Sequence, residues 1–187
     1  MSIEQSGVSH HNGLIIGLSG RMGSGKDEIY KSALDYIGSE SVQRFAFGDI
    51  VKQEVAELLD LSVGYIELKK KFFRPLLQWW GTEYRRALYS RNYWLDQMRD
   101  RLNSDRNKEF AFVTDVRFVN EADLIKSLGG IMVRVQRPGF IMCDKTKDHT
   151  SETDLDNYDF DHTITNDGGL NDLVYQVRSL IDGNRRA

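Results

Sequence analysis

The chain has 187 residues, enough for one domain with a sizeable core. Hydrophobic residues make up 40% and charged residues 28%, the balance of an ordinary soluble globular protein. No apolar run approaches the ~20 residues of a membrane span, a net charge of -3 argues against a broad nucleic-acid-binding face, and the single cysteine, Cys143, excludes an internal disulfide and fits a reducing, cytoplasmic compartment.

The opening stretch MSIEQSGVSHHNG (1–13) has neither the basic n-region nor the apolar h-region of a secretory signal, and it reads as a flexible tail. His10 and His11 read as tail residues rather than metal ligands. Residues 14–187 read as one domain. Its first predicted strand is LIIGL (14–18), where the isoleucines and the glycine that follows favour strand over buried helix. Gly20, Arg21, Met22, Gly23, Ser24, Gly25 and Lys26 then fit the spacing G-x-x-x-x-G-K, and a helix is predicted over 26–37. Glycines let such a loop turn tightly and aim successive N–H groups inward. The helix N-terminus adds partial positive charge, and Lys26 adds a full one for the β- and γ-phosphates of a nucleotide. Asp27 stands where such loops usually carry Ser or Thr. Two readings stand for it: a hard oxygen donor to Mg²⁺, or a negative charge complementing the helix dipole.

VQRFAF (42–47) is the second predicted strand. Gly48-Asp49 ends it, and Lys52 lies about one turn into the next helix. Asp49 reads either as a helix N-cap or as a group that positions a ligand or a metal-bound water. The run KKK (69–71) reads as a solvated helix face. The two prolines, Pro75 and Pro138, are expected between periodic segments. A helix over 76–89, drawn at 100° per residue, puts Leu77, Trp80, Tyr84 and Leu88 on a core side. Gln78, Thr82, Arg85 and Tyr89 fall on the opposite side, flanked by Glu83 and Arg86.

FAFVT (110–114) is the third predicted strand and carries Asp115 to a position close to the phosphate loop, where a carboxylate can order a Mg²⁺ shell. Arg117 reads as a clamp on a transferring phosphoryl group or as a salt-bridge partner of Glu121 or Asp123. Residues 119–128 read as a helix with Ala122, Ile125 and Leu128 inward, ended by Gly129-Gly130. IMVRVQ (131–136) is the fourth strand, and Arg137 just beyond it is a candidate for the phosphates of ATP. Residues 138–156 are polar. His149 within them reads as a hydrogen-bonding residue, because no second metal ligand has suitable spacing. HTIT (162–165) is the fifth strand. Asn166 can offer donor and acceptor to an adenine edge, or cap a turn. The last helix shows one apolar stripe through Leu170, Leu173, Val174, Val177, Leu180 and Ile181. Strands alternating with helices predict a parallel sheet covered on both faces, with ligands at the carboxyl ends of the strands.

The stretches LLQWWGTEYRR (76–86), NYWLDQM (92–98), VTDVRFVNEADLIKSLGG (113–130), VRVQRPG (133–139), HTSE (149–152) and HTITNDGGLNDL (162–173), with Gly-Lys-Asp at 25–27, are similar in type and order to the deoxynucleoside monophosphate kinases encoded by bacteriophages. Those enzymes sit within the P-loop nucleotide kinases. Glu28 stands where that family often carries Thr. The resemblance implies an α/β three-layer sandwich with a five-stranded parallel sheet, an acceptor-binding helical region at about 48–105 and a lid at about 138–156. It implies phosphoryl transfer from ATP to a deoxynucleoside monophosphate with Mg²⁺, no nucleic-acid or membrane partner, and is compatible with a homodimer.

On this reading the whole loop 20–26 with Asp27 and Glu28 holds ATP, Asn166 meets its base, and Asp27 and Asp115 serve the metal. Lys26, Asp115, Arg117 and Arg137 serve the transfer. Asp49, Lys52, Gln78, Thr82, Glu83, Arg85, Arg86, His149 and Glu152 hold the acceptor. Lys52 takes the place of the arginine in the GD-x-x-R segment of adenylate kinases. Related loops in dephospho-coenzyme A kinases and phosphomevalonate kinases keep other acceptors open, and a nucleotide-binding regulator without transfer activity is the remaining alternative.

Overall fold

The structure is a computed structural model that describes residues 13–104, 108–139 and 153–185. His10, His11, Cys143, His149, Ser151 and Glu152, with most of the expected lid, lie outside the described residues. Among the described residues, five strands form one sheet in the order β2-β3-β1-β4-β5: β1 (Leu14–Ser19), β2 (Val42–Phe45), β3 (Phe110–Val113), β4 (Ile131–Gln136) and β5 (His162–Thr165). Every neighbouring pair is parallel, with Ile16 opposite Phe112 on one side of β1 and opposite Ile131 on the other. The segment that follows the central strand therefore emerges between the carboxyl ends of β3 and β4.

Alternation along the strands divides the core into two faces. Ile16, Leu18, Phe110, Phe112, Val133 and Val135 pack under α1 (Lys26–Ile37) and the C-terminal helix, here α7 (Leu170–Asn184). Ile15, Ala111, Val113 and Met132 face the other way. They pack against α2 (Phe47–Leu59), α5 (Tyr93–Ser104) and α6 (Val119–Ser127). The result is the expected three-layer sandwich. Between α2 and α5 the chain adds α3 (Val63–Leu68) and α4 (Lys70–Gln78), held by a separate small cluster of Val55, Ala56, Ile66 and Phe73. No helix among the described residues is long and apolar enough to cross a membrane.

Several expectations need correction. β2 ends at Phe45 and β3 at Val113, because Ala46 already serves as the extended N-cap of α2 and Thr114 opens a turn. Pro75 lies inside α4, not between elements. Residues 76–89 are not one α-helix: α4 runs into a π-helical segment, Trp79–Tyr89, whose wider turn breaks the 100° phasing. No residue of that segment is fully buried, and Leu88, expected in the core, is 77% exposed. Leu170, at the open end of α7, is also exposed, whereas Leu173, Val177, Leu180 and Ile181 are buried.

Candidate active site

The loop after β1 has the backbone that its glycines predict. Gly23 and Gly25 adopt φ of 79° and 105°, the left-handed region, and Gly25 is the N-cap of α1. A Cβ at Gly20 would lie 2.3 Å from the Val135 carbonyl oxygen, and one at Gly25 would lie 2.4 Å from Asn166 Nδ2. The loop is thus clamped between β4 and the end of β5 and can approach a ligand with bare backbone. Lys26 Nζ donates to the carbonyls of Gly20 (2.6 Å) and Arg21 (3.0 Å), which keeps the ammonium over the loop. The hydroxyl of Ser24 is buried and has no hydrogen-bond partner among the described residues, an orphaned polar atom in the loop itself. These features fit a polyphosphate tail. Asp27 and Glu28 are exposed in the first turn of α1.

Asp115 emerges at the end of β3. Its Oδ1 accepts from the Phe47 amide (2.8 Å) and its Oδ2 from the Gly48 amide (2.7 Å), so it caps α2 from another strand. Burial pushes its carboxyl up, against those two amides and Arg117. Asp49 is therefore not the N-cap. Arg44, a residue the sequence analysis passed over, donates to Asp49 Oδ2 at 2.6 Å and lies within electrostatic range of Asp115 and Asp27. Lys52 Nζ sits 2.7 Å from Asp49 Oδ1 and 2.8 Å from Glu67 Oε2. Burial pushes the Asp49 carboxyl up, but hydrogen bonds from Lys52 and Arg44 outweigh it and hold the carboxyl below its ordinary range. The predicted acceptor cation is thus bound into a chain of alternating charge, Arg44–Asp49–Lys52–Glu67–Lys70. Among the described residues no group of three or more His, Cys, Asp or Glu forms a metal cage.

The π-helical segment separates its two arginines. Arg85 is ion-paired with Glu54 of α2 and lies 4.7 to 5.5 Å from the ring centres of Trp80, Tyr84, Tyr89 and Tyr93. Trp80 and Arg85 are five residues apart, the spacing a π-turn brings together. Arg86 turns the other way. Its Nη2 donates to Glu121 Oε1 at 2.6 Å, its Nη1 to Asn120 Oδ1, and its guanidinium stacks 4.0 Å over Phe118. Glu121 Oε2 in turn accepts from the amides of Arg117 (2.7 Å) and Phe118 (3.2 Å). The expected Arg117–Glu121 contact is made by the Arg117 backbone. Burial, opposed by Arg86 and by these amides, pushes the Glu121 carboxyl up to about 7. Gln78 and Thr82 are half-buried, and Glu83 is exposed.

Arg74 of α4 is the residue that sequence reasoning most clearly missed. Its Nη2 lies 2.9 Å from Met22 Sδ at the tip of the phosphate loop. The signal was present: Arg74 stands four residues before Gln78 and extends the Gln78–Thr82 stripe by one turn.

The β4 side completes the site. Arg137 Nη1 reaches the Gly23 carbonyl at 3.3 Å, and Asn166 Nδ2 donates to the Ser24 carbonyl at 3.0 Å. Asn166 thus supports the loop directly. Between the ends of β1, β3 and β4 lies a small, open cleft lined by Ser19, Gly20, Arg21, Arg117 and Arg134, with Val116 and Leu155 at its apolar side. Arginines from three strand ends meet there beside the phosphate loop, an arrangement that suits a transferring phosphoryl group.

Comparison with known proteins gives the family and the fold. The family model for deoxynucleotide monophosphate kinase matches residues 27–177, beginning one residue after Lys26. A protein of Acanthamoeba polyphaga mimivirus, provisionally named deoxynucleotide monophosphate kinase, is 30% identical, covering 90% of this chain and 96% of that protein. The deoxynucleotide monophosphate kinases of Escherichia phage RB69 and Enterobacteria phage T4 are 31% and 32% identical over 58% of this chain, and the match spans 44% of each phage enzyme. Shikimate kinase from Acinetobacter baumannii, solved in complex with shikimate, shares the fold with a TM-score of 0.50, 16% identity and coverage of 95% and 97%.

Proposed function

The chain belongs to the deoxynucleotide monophosphate kinase family, and on that premise we propose that it transfers the terminal phosphoryl group of ATP to a deoxynucleoside monophosphate, dNMP + ATP → dNDP + ADP. The observation that carries this reading is the glycine loop with Lys26 at the end of the central strand, bordered by Arg74, Arg117 and Arg137.

The reaction needs no covalent intermediate. It needs two phosphorylated ligands placed in line and the spreading charge neutralised. The loop amides from Gly20 to Lys26 bind the donor phosphates, and Asn166 and Arg137 brace the loop against β4 and β5. Lys26 leaves the loop carbonyls for the β- and γ-phosphates. Arg117, at the far wall of the pocket, stabilises the equatorial oxygens in transit. The half-buried face of Gln78 and Thr82 orients the acceptor, with Arg74 between acceptor and loop. If Mg²⁺ binds, Asp27, exposed at the start of α1, and Asp115, whose two oxygens already accept the Phe47 and Gly48 amides, would hold it, directly or through water, and the ion would supply neutralising charge for the phosphates.

The test is an ADP-release assay across all deoxynucleoside and ribonucleoside monophosphates, dephospho-coenzyme A and phosphomevalonate, repeated with Lys26→Ala. Turnover of at least one dNMP is expected, with kcat lower by about 10²–10³-fold in the variant, the usual loss of one charged donor. Turnover confined to dephospho-coenzyme A or phosphomevalonate would replace the acceptor. ATP binding without ADP formation on any acceptor would replace the enzyme with a regulator.

A further inference from the structure

One carboxylate in the site has no part in the transfer described above. Asp156 Oδ1 accepts from Arg134 Nη2 and Asp156 Oδ2 from Arg21 Nη2, both at 3.0 Å. Arg21 belongs to the phosphate loop and Arg134 to β4, and both line the pocket beside Gly20. A carboxylate with each oxygen on a separate guanidinium offers those cations what a phosphate group would offer them.

The two arginines are held to different degrees. Arg134 also donates to the Leu155 carbonyl at 2.9 Å, rests 5.3 Å over the Phe160 ring, and is only 18% exposed. Arg21 is 52% exposed. Asp156 itself is fixed. Its amide donates to the Thr153 carbonyl, its neighbour Leu155 is buried in the core, and Asp154 of the same turn accepts from the Val119 amide at the start of α6. Arg21 is therefore the member able to change partner.

We propose that Asp156 is an affinity-setting residue: its carboxylate competes with the phosphates of the bound nucleotide for Arg21 and Arg134 and so weakens polyphosphate binding at the loop. The inference rests on the phosphate-loop reading above. It predicts an uncommon sign, because loss of a polar side chain from a binding site ordinarily weakens binding. Here neutralising Asp156 leaves two cations in the pocket without their carboxylate, and an anion gains what the carboxylate loses.

The experiment is calorimetric binding of tripolyphosphate, which needs neither an acceptor nor turnover, to the unaltered protein and to Asp156→Asn, Asp156→Ser and Asp156→Glu. The two neutral variants are expected to bind about two- to fivefold more tightly, the scale of a partly exposed ion pair. The advantage should shrink as salt is raised, and Asp156→Glu should stay near the unaltered protein. Either neutral variant suffices once its melting transition shows it folded. Equal or weaker binding by the neutral variants, with the unaltered protein binding normally, overturns the competition and leaves the phosphate loop standing. Absence of binding to every protein overturns both.

Discussion

Glu121 joins three parts of the site through one carboxyl group. One oxygen receives Arg86 from the π-helical segment, and the other receives the amides that precede α6 and carry Arg117. It is buried, it is pushed up to about 7 from an ordinary 4.5, and the charged groups that face it are Arg86 and, with the opposite sign, Asp115. A carboxyl raised on folding binds its proton more tightly in the folded than in the unfolded chain. Between pH 4.5 and 7 the folded state then holds the extra proton, and stability falls as pH rises through that window. Asp49, Glu67 and Asp161 are held low and act in the opposite sense, since their stability is lost as pH falls. The contribution of Glu121 is therefore read as a difference. The melting temperature of the unaltered protein minus that of Glu121→Gln should decline from pH 4.5 to 7, and a flat difference would show that Glu121 does not titrate there. Arg74 has its test at this scale too. Arg74→Gln removes the charge at Met22 and should lower kcat/KM by about 10²-fold in steady-state assays, with the melting temperature little changed.

At the scale of elements, the π-helical segment shows what could be read from the sequence and what could not. The strands at 131–136 and 162–165 have the bounds expected, because their β-branched runs start directly after Gly130 and Asp161 and stop at the turn residues that open with Arg137-Pro138 and Asn166-Asp167. The helix at 26–37 is also as expected, fixed by the loop glycines before it and Gly38 after it. Residues 79–89 had an equally clear apolar pattern, but a pattern assumes its own period. A π-turn shifts each residue round the axis, so Arg85 turns into a box of Trp80, Tyr84, Tyr89 and Tyr93 facing Glu54 rather than along a stripe with Gln78. The aromatic residues and Arg85 were all visible in the sequence; that the rings enclose Arg85 was not. Only the tertiary ion pair to α2 decides which face Arg85 takes. Arg85→Lys keeps the charge but loses the planar contact with the rings and the forked contact with Glu54. It should cost about 1 kcal/mol, a fall of about 2–4 °C in melting temperature for a chain of this size. No fall would mean that the box holds Arg85 without gaining stability from it.

At the scale of the whole molecule, stability is divided unevenly. The sheet is packed on both faces by large clusters, whereas α3 and α4 rest on four buried side chains. Leu58, Leu59, Leu61, Val63, Tyr65, Leu68 and Phe72, in and just before these helices, are exposed. Few buried contacts and much exposed surface mark a region that opens locally before the whole domain unfolds. Polar links among the described residues tie it to the sheet, including the Lys52–Glu67 pair, which continues through Asp49 to Arg44 on β2, and the Arg74 contact with Met22. The Arg74 link ends at the phosphate loop, and the other holds Lys52, the cation that the sequence assigns to the acceptor. Ligand binding should therefore change the opening of this region more than that of the core. Hydrogen exchange measured by mass spectrometry should show the amides of 63–78 exchanging at least tenfold faster than those of β1 and β3. With a dNMP and a non-hydrolysable ATP analogue bound together, exchange in 63–78 should slow, and β1 and β3 should change little. Uniform slowing across the chain would mean that the helices and the sheet open as one unit. The links through Lys52 and Arg74 would then carry no local signal from the ligands to α3 and α4.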